Sequence, residues 1–173
     1  MKLMPAGAAD RADIEHLLDA AFGADRKAKT AYRLREGTLP IRELSFVGRE
    51  PDGRLVGSIQ CWPIELWDGS AAGLPLTLLG PVAVSPELQR TGLGKQLMAE
   101  SLRVADSADF GAMLLIGDVE YYGKFGFTAE PTGDWKVPGP VDRHRLLARI
   151  PEGMALPKRG ILQPRPPARS LAA

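Results

Sequence analysis

Gln89-Arg90-Thr91-Gly92-Leu93-Gly94-Lys95 is the run whose residue types and spacing most directly suggest chemistry. An apolar segment, Leu76 to Val84, precedes it. Leu93, Leu97, Leu102 and Ala105 follow at helical spacing. Strand, glycine turn and helix together make an anion cradle. The first N–H groups of a helix have no partners within it and sit at the positive end of its dipole. Glycine has no Cβ, so a phosphate can reach them. Spacing excludes two common cradles. A Walker A loop would need glycine at Gln89 and serine or threonine at Gln96. The dinucleotide fingerprint would need glycine or alanine at Leu97.

What remains is Gln-x-x-Gly-x-Gly, which resembles the acetyl-CoA loop of the GNAT acetyltransferase superfamily. Downstream, Tyr121-Tyr122-Gly123-Lys124-Phe125-Gly126-Phe127 is similar to that family's Tyr-x-x-x-Gly-Phe segment, and it falls after the next apolar strand, as in the family. The resemblance spans residues 76 to 127. It implies an α/β (α+β) fold: a mixed, mostly antiparallel sheet with a splayed parallel central pair and helices on both faces. Acetyl-CoA would be the acyl donor. Gln89, Arg90, Thr91, Gly92, Leu93, Gly94 and Lys95 would hold its pyrophosphate. The backbone of Val82, Ala83 and Val84 would bond its pantetheine arm, as an added strand does. Pro81 fits this picture, because proline cannot donate to a sheet ladder and belongs where pairing is incomplete.

The resemblance also implies the reaction, a direct transfer of the acetyl group to an amine. The leaving thiolate needs a proton and the developing oxyanion needs a donor. Tyr122 stands four residues before Gly126, the place of the family's general acid. A backbone N–H near Val84 would serve the thioester oxygen. Tyr121 would face elsewhere on its helix. Gly117-Asp118 departs from an asparagine common in the family, so no role is carried to it. Glu65, Asp118 and Glu120, near strand ends, are open candidates for a base. The second reading is an acyl-CoA-binding sensor that transfers nothing; such a protein would not need Tyr122.

Composition sets the setting. Apolar residues make up 45% of the chain and charged residues 25%, as in an ordinary globular protein. The net charge is +1, and the last 23 residues alone carry +3, which leaves −2 on the body. A nucleic-acid acceptor is therefore disfavoured. The single cysteine, Cys61, permits no intrachain disulfide and reads as a small buried residue. No apolar run approaches the roughly 20 residues that span a bilayer. A cytoplasmic protein is expected, with no metal site and with a homodimer left open.

The positioning elements follow from pattern. Residues 2–5 read as a strand. Asp10 starts a helix whose stripe is Ile14, Leu17, Leu18, Ala21 and Phe22. A second helix is expected from Arg26 to Arg35, with Tyr32 and Arg33 as potential acceptor contacts. Strands are expected at Leu44 to Arg49 and Arg54 to Trp67, the latter interrupted at Pro63. The cradle helix should run from Arg90 to Ala108, followed by a strand from Phe110 to Ile116 and a short helix from Glu120 to Phe125. Pro131 to Pro140 reads as a loop and Arg145 to Ile150 as the last strand. The expected domain is 1–150, and 151–173 is a Pro-rich extension too dense in proline to hold a strand.

Overall fold

The computed structural model describes residues 2–166. Its first half contains β1 (Lys2–Pro5), α1 (Arg11–Phe22), α2 (Thr30–Arg33), β2 (Phe46–Arg49), β3 (Leu55–Trp67) and β4 (Leu74–Val84). The second half contains α3 (Leu93–Ser107), β5 (Met113–Ile116), α4 (Val119–Tyr122), β6 (Asp134–Lys136), β7 (Leu146–Arg149) and β8 (Arg159–Pro164). The strands join in the order β1-β2-β3-β4-β5-β7, with β8 on the outer half of β3 and β6 beside β8.

One pair along that order, β4 with β5, is parallel, and it is brief. Thr77 faces Met113 and Leu78 faces Leu114, and there the ladder stops. The cause lies on the other edge of β4. Ile59 pairs with Val82 while Cys61 pairs with Leu79, so β4 carries one residue more than β3 between these points. That extra residue, at Gly80-Pro81, is a bulge, and bulges bend and twist the strand that carries them. Beyond it, β4 has left β5. The splayed central pair expected from the resemblance is present, and a local insertion produces it.

Helices cover both faces. Phe46 and Val47 are neighbours in β2 and so point to opposite faces. Phe46 packs with Leu93, Leu97, Met98 and Leu102 of α3. Val47 and Ala83 pack with Ile14, Leu17 and Leu18 of α1. Two paired glycines seat α3. A Cβ on Gly57 would lie 2.7 Å from Leu93 Cδ2, and one on Gly48 would lie 3.2 Å from Leu93 Cδ1. Only bare backbone lets the first turn of α3 come this close to the sheet.

Three expectations need correction. The helix expected from Arg26 to Arg35 is a 3₁₀ turn (Ala24–Ala28) and the single turn of α2. Lys29 between them is extended, with φ −72 and ψ 150. Arg26 is drawn inward by Glu15 and Asp19 of α1, at 2.7 and 2.8 Å, and this pins the turn. The loop expected at Pro131 to Pro140 contains β6, because Trp135 is buried there and its indole N–H donates to Pro157 O at 2.8 Å. The Pro-rich extension supplies β8, which pairs with Ile64 to Trp67 and buries Leu162. Its prolines leave the six residues 159–164 enough free N–H groups for a ladder. Residues 167–173 of that extension lie outside the described residues. Pro63 falls where β3 changes partner, after β2 ends and before β8 begins.

Candidate active site

Two cavities meet where β4 and β5 part. The smaller, about 190 Å³, is a groove lined by Val82, Ala83 and Val84 of β4, Gln89 and Gly94 of the glycine turn, and Tyr121 and Tyr122. The larger, about 500 Å³, lies between the α2 segment, the bulge of β4, the end of β5 and the turn before β7. Phe22, Val82 and Tyr122 line both. Tyr122 therefore stands at their junction.

The backbone of β4 suits the groove. Ser85 N donates to Val56 O at 2.8 Å, so Ser85 turns its polar groups toward β3. A strand alternates, so Val84 and Val82 turn theirs the other way. On that side β5 has already left, and the N–H and C=O groups of Val82 and Val84 face the groove.

Next comes the cradle. Gly92 caps α3 with φ 90, in the left-handed region that glycine tolerates. Gly94 follows at the floor of the groove, where a Cβ would lie 3.2 Å from the Tyr121 hydroxyl and 3.6 Å from Val84. Of the residues expected to hold a donor, Val82, Ala83, Val84, Gln89 and Gly94 come together on the groove. Arg90, Thr91 and Gly92 sit in the turn beside it and Lys95 in the first turn of α3, and Thr91 Oγ1 donates back to Leu88 O at 2.7 Å. Leu93 is turned into the core, so only its backbone is available.

The two tyrosines divide differently from expectation. Tyr121, expected to face elsewhere, lines the groove with its hydroxyl near Gly94. Its ring meets Tyr122 edge-on at 4.9 Å, and Lys124 Nζ lies over it, 3.9 Å from the ring centroid. Tyr122 packs against the backbone of Gly117. Burial pushes the Tyr122 pKa up to about 12, with Tyr121 and Asp118 adding to the rise and Arg145 opposing it. A hydroxyl so placed holds its proton at neutral pH and can donate it.

The base candidates separate. Asp118 lines the larger cavity and pairs with Arg145 at 2.9 Å. Glu65 accepts from Gln163 at 2.6 Å at the far end of β3, and Glu120 is exposed outside both cavities. Cys61 is buried against Ser101 at 3.4 Å, and burial pushes its thiol pKa up to about 12, which suits packing and not nucleophilic work. Tyr32 lines the larger cavity, whereas Arg33 donates outward to Pro138 O at 3.1 Å. Arg35, which sequence reasoning passed over, is buried on the same wall. Nothing in its sequence position distinguishes it from a surface arginine.

Comparison with known proteins bears on this geometry. Residues 11–127 match the family model described as the acetyltransferase (GNAT) family. The chain is 29% identical over 118 residues to the uncharacterized N-acetyltransferase YhbS of Escherichia coli (strain K12), covering 68% of each protein. Among solved structures, it resembles Escherichia coli YhbS in complex with CoA, with TM-score 0.74 and 23% identity over 95% of this chain and 89% of that one. It also resembles a GNAT family acetyltransferase from Brucella melitensis in complex with acetyl-CoA, with TM-score 0.67, 24% identity and 95% of each chain covered.

Proposed function

The chain belongs to the GNAT acetyltransferase family, and on that premise we propose that it uses acetyl-CoA to acetylate an amine directly, with Tyr122 as the general acid. One observation carries the reading. The groove between β4 and the glycine turn opens into a second cavity, and Tyr122 lines both. A donor and an acceptor entering from opposite sides would meet beside its hydroxyl.

The residues fit the donor. Exposed backbone on Val82 and Val84 suits the amides of a pantetheine arm. The free N–H groups of Leu93, Gly94 and Lys95, at the start of a 15-residue helix, suit a pyrophosphate. Gln89 and the exposed Arg90 and Lys95 stand around that turn. Bound acetyl-CoA supplies an activated acyl group. The Val84 N–H donates to the oxygen on which charge builds. Tyr122 gives its proton to the departing sulfur. Asp118 lines the larger cavity with Tyr122, as Glu65 and Glu120 do not, and is the candidate for relaying the acceptor's proton to water. The Tyr122 hydroxyl favours an enzyme over an acyl-CoA sensor, since a sensor needs no acid at this junction.

Calorimetric titration with acetyl-CoA, free CoA and ATP tests the reading. Micromolar binding of both CoA species with little ATP binding is expected. Absence of CoA binding would overturn the donor site and the transfer reaction with it.

A further inference from the structure

Two arginines are buried on the α2 wall of the larger cavity, and they are treated oppositely. Arg26 is 1% exposed and fully engaged. It pairs with Glu15 and Asp19 and donates to the Tyr32 hydroxyl. Arg35 is 8% exposed and has no carboxylate partner among the described residues. Its Nη1 is enclosed and makes no hydrogen bond. Glu15, the carboxylate that acts on it from a distance, is already taken by Arg26 and Lys27.

The Arg35 guanidinium is nonetheless held firmly. It lies 3.6 Å over the Tyr32 ring and 4.5 Å from the Trp62 ring. Ring contacts of this kind hold a guanidinium through its charge and supply no anionic partner. Burying a charge without a partner is costly, and an arginine cannot escape by losing its proton. A charged guanidinium with an unbonded nitrogen, on the wall of a cavity, is matched to a planar anion that arrives with a ligand. The same cavity is lined by Asp118, which pairs with Arg145, and by Asp142, which has no ion pair among the described residues. The Asp142 carboxylate suits an ammonium.

We propose that the acceptor is an amino carboxylic acid, whose carboxylate is bound by Arg35 while its amine is presented at Tyr122. This rests on the acetyltransferase reading above and names the substrate class for the same site. Arg26 and Arg145 on the same lining are already paired with carboxylates, which leaves Arg35 as the guanidinium that can balance a ligand carboxylate. The roughly 500 Å³ cavity accommodates a small molecule of this kind. Lys29, exposed at the rim without an ion pair among the described residues, adds to the attraction on the same side.

The test uses CoA-loaded full-length protein and a panel of common α- and ω-amino acids, each against its own carboxamide. Thermal denaturation reads binding, and turnover with acetyl-CoA reads KM and kcat. At least one amino acid is expected to bind about 10- to 100-fold better than its carboxamide, the loss expected for one charge-assisted hydrogen-bonded contact. Arg35→Gln should erase that preference mainly through KM, and Arg35→Lys should restore part of it. Acetyl-CoA affinity should be unchanged in both. If every carboxamide equals or exceeds its acid in the wild-type protein, the proposal is overturned, whether or not Arg35→Gln folds. Preference for amines bearing phosphate would overturn the carboxylate assignment. Failure of the wild-type protein to bind acetyl-CoA at all would overturn both this inference and the reading beneath it.

Discussion

The ring of Tyr122 lies against the backbone of Gly117, so closely that a Cβ added there would sit 2.8 Å from Tyr122 Cδ2 and nearer still to Cε2. Gly117 directly follows β5, and its N–H donates to Arg145 O at 2.8 Å. The glycine is thus a seat for the tyrosine at the junction of the two cavities. Gly117→Ala is expected to fold but to displace the ring. Turnover should fall about 10-fold or more, since small misplacements of a reacting group are expensive. Acetyl-CoA affinity, measured by calorimetry, should change little. Equal loss of both would mean that the whole groove had collapsed.

Tyr122→Phe removes the proton donor and keeps the ring. Turnover should fall about 100-fold or more, the usual contribution of a general acid. Acetyl-CoA affinity should stay close to the wild-type value. Full activity in this variant would remove Tyr122 from the mechanism.

The same tyrosine sets an alkaline limit on stability. Its pKa rises from 10.0 to about 12 on folding, chiefly through burial. The folded state holds the proton more tightly than the unfolded state. Tyr122's contribution is therefore fully present below pH 10 and is lost as pH rises toward about 12. Denaturant titrations at about pH 8 and about pH 11 should show a steeper loss in the wild-type protein than in Tyr122→Phe. Parallel losses would contradict it.

Gly92 separates conformation from charge. Its φ is 90, and a Cβ there would meet nothing within 4 Å. Gly92→Ala should cost about 1 kcal/mol of stability through backbone strain alone. Gly92→Asp adds a negative charge beside the start of α3 and should weaken acetyl-CoA binding well beyond the alanine variant. Equal affinities in two folded variants would move the pyrophosphate away from this turn.

Leu162 tests the C-terminal strand. It is fully buried in a cluster with Ile64, Leu66 and Trp135. Leu162→Ala should cost about 3 kcal/mol, read by denaturant titration. A loss near zero would mean that β8 contributes nothing to the core it covers.

The glycine turn, its helix and the tyrosine segment were legible because each is a local requirement. Gly92 needs a left-handed backbone, and the apolar spacing of Leu93, Leu97 and Leu102 needs one buried helix face. Such demands are met within a few residues, so a linear reading can find them. Pro81 marked the break in pairing for the same reason, although the offset between Ile59–Val82 and Cys61–Leu79 that produces it is a relation between two strands.

Tertiary structure decided the rest. A strand made of Arg159 to Pro164 exists because Ile64 to Trp67 offers it an open edge, and nothing in the proline-rich composition announces a partner so distant. Tyr121 turned toward the groove because Gly94, well upstream in sequence, leaves room for its hydroxyl. Arg26 and Arg35 look alike as residues in a basic stretch. Folding gives one of them two carboxylates and leaves the other against the Tyr32 and Trp62 rings with an unbonded nitrogen. Sequence by itself determined the backbone that can cradle a phosphate, because glycine's freedom is intrinsic. Burial and partnership of charge depend on what the fold brings near, and only the assembled chain sets them.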